Sequence, residues 1–225
     1  MQRFAHRHRP RRHRRSRPDC HIHRMNSRWR LSAWAGAALV AALPAGCGGA
    51  HASDADVAAL KTAMAARLAA MPDVAHHKWN AGTAVEDPVQ EAAVLEAAIG
   101  AGRQAGLRAE TVRQAMLAQI DAAKQVQSAV TNGLLSSGAG PLEDVPDLGT
   151  VLRPQIAAAT ASFIEALAAA LADLKRCDAA SALRFRPETL ATYAEAWSTA
   201  AEGVIAAAGG PDRASCPPLD NPATR

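Results

Sequence analysis

The stretch from Val57 to Glu91 reads VAALKTAMAARLAAMPDVAHHKWNAGTAVEDPVQE, and its rhythm constrains the fold more than any other feature. Apolar residues recur at helical spacing, Ala fills most remaining positions, and the breaks are Pro72 and Gly82. Beyond Ser53 no alternating β-branched run exceeds a few positions, so there is nothing from which to build a sheet. The expectation is an all-α fold: one domain of five to six helices, large enough to bury one core.

Local signals place the helices. Asp54 or Asp56 caps a first helix to about Met71. Pro72 kinks or interrupts it, and the helix resumes through Lys78 and Trp79 to about Ala81, with Gly82-Thr83 as the turn. Asp87-Pro88-Val89-Gln90 sets Asp at the N-cap, Pro at the first helical position and Gln at the third, a capping-box arrangement. That opens a second helix to about Arg103, ending near Gly106. A third runs from Ala109 or Glu110 to about Leu135. Ser136 to Gly149, rich in Gly and Pro, is a loop within the domain. A fourth helix is expected over Val151–Lys175, and a fifth after Arg186-Pro187-Glu188, through Tyr193 and Trp197 to Ala208.

Charge divides the chain. The whole sequence carries a net +4, yet residues 53–225 hold 14 Lys and Arg against 20 Asp and Glu, a net of −6. The basic excess lies entirely in the head, so the main body offers no stripe for nucleic acid, and no nucleic-acid partner is expected. Residues 1–24 are rich in Arg, His and Pro and cannot pack a core; they read as an over-extended N-terminus ahead of a true start at Met25. Residues 25–52 then form a secretory signal peptide: a basic start, an apolar run from Leu31 to Ala45, and Ala50-His51-Ala52 as the cleavage site. The run is too short for a comfortable membrane span. Leu43-Pro44-Ala45-Gly46-Cys47 weakly resembles a lipoprotein box, but Pro44 disfavours it. The expected mature domain is 53–225, exported to the periplasm or secreted, with no stable membrane span.

Cysteine usage agrees with export. With Cys20 and Cys47 removed, Cys177 and Cys216 remain as an even pair in an oxidising compartment, and a disulfide between them is expected. Neither has a Cys or His neighbour at ligand spacing. His76 and His77 are adjacent and point about 100° apart on a helix, so no metal site is expected.

The candidate functional residues begin with two isolated cations. Arg67 and Lys78 are eleven positions apart, about three helical turns or 16 Å, and so share a face from which both can reach one small anion. Taken alone they could be ordinary solvated cations. In order, however, Arg67-Leu68, Val74-Ala75-x-x-Lys78-Trp79, Val85-Glu86-Asp87-Pro88-x-x-Glu91 and Gln119-Ile120-x-Ala122-x-Lys124-x-Val126-Gln127 resemble the all-helical chorismate mutases, most of all their secreted, gamma-type subclass. The similarity runs from about Val57 to Cys216.

The resemblance implies rearrangement of chorismate to prephenate with no cofactor, nucleophile or metal. Arg67 would clamp a carboxylate, while Lys78 and Gln127 would donate to the breaking ether oxygen. Glu91, helped by the backbone near Asp87, would accept from the ring hydroxyl. Arg153 would complete the pocket within one chain, and a homodimer is implied. Two positions depart from the family pattern: Gln90 stands where the family has Arg, and Ala123 where it has a small hydroxyl residue. Both are still expected to line the substrate. Trp79 is expected in the core. The rival readings are a catalytically silent helical module that binds a small dicarboxylate, and a helical bundle with no pocket at all. Convergence of Arg67, Lys78, Gln127 and Arg153 on one cavity separates the last from the rest.

Overall fold

Residues 52–216 are described by a computed structural model, and all their regular structure is helical. Seven α-helices follow in order: α1 (Ala52–Ala69), α2 (Met71–Ala81), α3 (Pro88–Gln104), α4 (Ala109–Ser137), α5 (Arg153–Ala170), α6 (Cys177–Arg184) and α7 (Ala194–Ala207). A π-helical turn (Leu148–Leu152) leads into α5, and two 3₁₀ turns (Asp173–Lys175 and Glu188–Leu190) flank α6. The expectations for the head, the signal peptide, Cys20 and Cys47 lie outside the described residues.

The 29 residues of α4 span about 43 Å at 1.5 Å per residue. It lies against α7 on one side and α2 and α3 on others, while α1 packs along α5. Leu60, Met64 and Leu68 of α1, Met116 and Val126 of α4, Phe163 and Leu167 of α5, and Trp197 and Val204 of α7 form one buried core. The abundance of Ala and Gly follows from close approach of helix axes, which small contact residues allow. A Cβ on Gly203 of α7 would stand 2.2 Å from the Ala118 Cβ of α4, and one on Gly102 of α3 would stand 2.4 Å from a Val112 methyl.

Several local expectations change. Asp54 falls within the first turn of α1 rather than before it. The Pro72 break is narrow: Ala70 alone separates α1 from α2, in right-handed helical geometry, and Val74 N–H still bonds Ala70 C=O at 3.2 Å. Asp87 does cap α3, accepting from Gln90 N–H at 3.1 Å. The return bond of the capping box comes from Glu91, whose Oε1 accepts from Asp87 N–H at 3.1 Å; the Gln90 side chain is not used for it. The expected fourth helix does not reach Lys175. It ends at Ala170, and a 3₁₀ turn with buried Leu174 redirects the chain into α6. The last helix begins at Ala194, after the Glu188–Leu190 turn.

Cys177 at the start of α6 and Cys216 are joined by a disulfide. Beside it the Arg184 guanidinium bonds both Glu202 oxygens at 3.0–3.1 Å and Pro211 C=O at 2.7 Å. Trp79 is half-buried rather than core. Its indole N–H donates to Gly140 C=O at 3.1 Å, and the adjacent Asn80 amide bonds both backbone groups of Leu142 at 2.8 Å. Together they strap the 138–147 loop onto α2. Among the described residues no helix is long and apolar enough to cross a membrane.

Candidate active site

Four helical faces enclose a cavity of about 530 Å³, within the range of small-molecule sites. Arg67, Met71, Val74 and Lys78 line it from α1 and α2, at steps of four, three and four. That series is one helical face, and it continues across Ala70 because the break there keeps helical geometry. Gln90, Glu91 and Val94 come from α3, and Ile120, Ala123, Lys124 and Gln127 from α4. Arg153, Ile156, Ala157, Thr160, Ala161 and Ile164 repeat the same periodicity on α5. Leu148 of the π-helical turn and Asp87 at the α3 cap complete the lining.

All eight residues singled out in the sequence, Arg67, Lys78, Asp87, Gln90, Glu91, Ala123, Gln127 and Arg153, therefore stand around one space. Three participants were missed. Thr160 accepts from Arg67 Nη1 and donates its own proton to Ile156 C=O at 2.7 Å. The signal was present: it lies seven residues, two helical turns, after Arg153. Lys124 bonds Glu91 Oε2 at 3.4 Å and Asp121 at 3.3 Å. Val85 C=O accepts from Lys78 Nζ, a backbone role that no residue type announces.

The charges are unbalanced by design of the lining. Four cations (Arg67, Lys78, Lys124, Arg153) face two carboxylates (Asp87, Glu91), leaving +2 inside a body whose net charge is −6. Arg67 is the extreme case. It is 3% exposed, its Nε has no partner, and among the described residues no carboxylate pairs with it. Burial pushes its guanidinium down to about 10, still charged at neutral pH. Taking an unpaired cation out of water costs several kcal/mol, so the fold carries a charge that an incoming anion would neutralise. Burial also lowers Lys78 below the usual lysine range, against the opposing pull of Asp87, Glu91 and Glu86. For Lys124, burial acts downward as well, but bonds to Asp121 and Glu91 outweigh it and hold the ammonium above its ordinary value.

Gln127 is buried, with Nε2 resting on Ala123 C=O at 3.4 Å and Met71 Sδ at 3.5 Å, while its Oε1 has no partner. These two contacts use both amide hydrogens, and the long one to Ala123 C=O and the weak one to sulfur are readily exchanged for a stronger acceptor in the cavity. Among the described residues no group of three or more His, Cys, Asp or Glu side chains is arranged to hold a metal ion. The arrangement can bind a small dianion, desolvate it and direct N–H donors at it.

Comparison with known proteins agrees with that chemistry. A secreted chorismate mutase of Yersinia pestis is 35% identical over 100 residues, covering 40% of this chain; the match spans only 54% of that relative's length. The crystal structure of a chorismate mutase from Burkholderia thailandensis matches with a TM-score of 0.59 and 30% identity, covering 69% of this chain and 99% of that one. One from Burkholderia phymatum matches with a TM-score of 0.57 and 27% identity, over 70% and 97%. Residues 56–128, which carry Arg67 through Gln127, match chorismate mutase type II, and the chain belongs to this all-helical family.

Proposed function

We propose that the cavity converts chorismate to prephenate, in a protein exported from a bacterial cell. The observation that carries the reading is Arg67: a buried guanidinium with no counter-ion among the described residues, in a lining of net charge +2, is matched by a dicarboxylate. The rearrangement breaks the ether C–O bond as a C–C bond forms, moves no proton and needs no nucleophile. Its demands are a compact conformer and donors aimed at the ether oxygen, where negative charge grows.

Arg67 holds one carboxylate through its planar fork, and Arg153 meets the substrate's charge from the start of α5. Lys78 and Gln127 donate to the ether oxygen from opposite walls. Glu91, fixed by the Asp87 cap, accepts from the ring hydroxyl. Gln90 and Ala123 line the substrate without adding charge. Periplasmic localisation and cleavage before Ser53 belong to the same proposal, supported by the leader-like stretch and by the secreted Yersinia relative; a homodimer is supported by the family resemblance alone.

The test is loss of chorismate absorbance. The wild-type protein should consume chorismate, and Lys78→Ala should lower kcat/KM by about a hundredfold to a thousandfold, the scale of one preorganised donor, with helical circular dichroism unchanged. Gln90 favours one other reading, a silent dicarboxylate binder, because a neutral amide replaces a cation at the cavity wall. Chorismate binding without turnover by the wild type would establish that reading instead.

A further inference from the structure

We propose that Lys124 is a positioning residue for Glu91: it spans from α4 to α3 and fixes the carboxylate that faces the substrate. The inference rests on the chorismate reading of the cavity but assigns a role to a residue that reading leaves idle. Glu91 carries two duties at once. Its Oε1 closes the α3 cap on Asp87 N–H, and its Oε2 meets Lys124 Nζ. Lys124 is its only ion-pair partner among the described residues. Gln90, one position earlier on α3, is neutral and cannot serve.

Glu91 shares the cavity with a second carboxylate, Asp87. Lys78 attracts both carboxylates through space but makes no ion-pair contact with Glu91 among the described residues, so without the Lys124 contact like-charge repulsion would favour turning the Glu91 side chain toward solvent. Lys124 opposes that from across the helix pair. It is well placed to stay charged while doing so. Asp121, one turn earlier on α4, bonds it at 3.3 Å, and the Lys124 side chain is 30% exposed. Lys124 is also shared between the cavity and a shallow polar hollow bordered by Asp121, Gln125, Ser128, Asn132 and Thr199. Its stem is thus the wall between substrate space and water. The ammonium keeps part of its hydration on the outer side and offers hydrogens inward to Glu91.

A lysine in this place could instead touch the substrate directly. The two roles differ in whether Glu91 is needed. The experiment is a double-mutant cycle on chorismate turnover with Lys124→Met, Lys124→Arg, Glu91→Gln and Lys124→Met/Glu91→Gln, each checked for native circular dichroism. Lys124→Met should lower kcat/KM by about tenfold, the scale of coupling between contacting groups. The loss should fall mostly on KM, because a hydroxyl acceptor holds substrate and transition state alike. Lys124→Arg should recover most of it. In the Glu91→Gln background, Lys124→Met should cost nothing further.

Equal losses with and without Glu91, or an active Lys124→Met protein indistinguishable from wild type, would overturn the proposal and leave the mutase reading standing. If the wild type consumes no chorismate, the mutase reading fails, and the same cycle is read by calorimetric binding of chorismate. Glu91-dependent weakening by Lys124→Met would then uphold the positioning role, while independent weakening, no weakening, or no binding at all would overturn it.

Discussion

Arg67 holds the sharpest conflict between folding and function. The fold buries its charge against the Thr160 hydroxyl and, among the described residues, no carboxylate, and ligand binding is what relieves the cost. Arg67→Met should therefore leave the ligand-free protein as stable as wild type or more so, because a buried ion replaced by an apolar side chain of similar volume is often neutral or stabilising by ~1–4 kcal/mol. Differential scanning calorimetry should show a melting temperature equal to or a few degrees above wild type. A stable diacid in the buffer should raise Tm for the wild type and not for the variant. A fall of many degrees in the ligand-free variant would mean that Arg67 is structural. Lys78 gives a pH signature. Its pKa is lowered by burial, its protonated form is the donor, and protonation is lost as pH rises through the lowered value. The alkaline limb of kcat/KM should thus fall below pH 10.5, an ordinary lysine's value, and the limb in kcat should sit higher, since a bound dianion favours the charged ammonium. Gln90→Arg adds a cation at the wall and should tighten chorismate binding by roughly tenfold to a hundredfold, the value of one charge-assisted bond; an unchanged KM would count against Gln90 facing the ligand. At this scale the sequence was informative where a polar residue interrupts an apolar helical face, as Arg67, Lys78 and Gln127 do. It was silent where the role depends on partners: Lys124 looks like any surface lysine until α3 brings Glu91 to it, and the task of closing the α3 cap passes from Gln90 to Glu91 only in three dimensions.

The helices were legible where Gly and Pro punctuate them. Gly82, Pro88, Gly106 and Gly138 mark ends of α2, α3 and α4 closely, and three of these glycines take the positive φ that such ends require. The run from Leu171 to Phe185 contains no Gly or Pro, so nothing local marks the turn between α5 and α6. Packing decides it instead: Leu174 and Leu183 are both buried, and Arg176 bridges Asp173 and Asp178 across the bend. Packing also explains Gly203, a poor helix former kept inside α7. Ala there gains about 1 kcal/mol in helix propensity but forces its Cβ onto Ala118 at 2.2 Å, and such overpacking costs roughly 1–3 kcal/mol. Gly203→Ala should therefore lower Tm by several degrees despite the better propensity. Combining it with Ala118→Gly should recover much of the loss by exchanging the small residue across the interface. If the single variant is more stable than wild type, α4 and α7 are not in close contact at this point.

At the scale of the molecule, the lining comes wholly from α1–α5 and the segments between them, while α7, packed on α4, α6, packed on α1 and α7, and the Cys177–Cys216 disulfide form a clasp outside it. The clasp is reinforced by Glu202, which binds both Arg184 and Arg213. This division predicts how stability and activity separate. The disulfide closes a sequence separation of 39 residues, which the chain-entropy account values at about 4 kcal/mol. For a domain of this size each kcal/mol moves Tm by roughly 2–4 °C. Reduction, or Cys177→Ser with Cys216→Ser, should lower Tm by about 8–16 °C at most, less if the unfolded chain keeps residual structure. At 25 °C the protein should remain helical and kcat/KM should change by less than about twofold, since no clasp residue touches the cavity. Two mechanical links join clasp and cavity: α1 packs on α6 and presents Arg67, and α4 packs its outer face on α7 while its inner face presents Ala123, Lys124 and Gln127. If the clasp instead positions that inner face, activity and Tm would fall together on reduction at temperatures where the circular dichroism is still native. Matched measurements of both on the same reduced sample decide between a support that only holds the fold and one that sets the site.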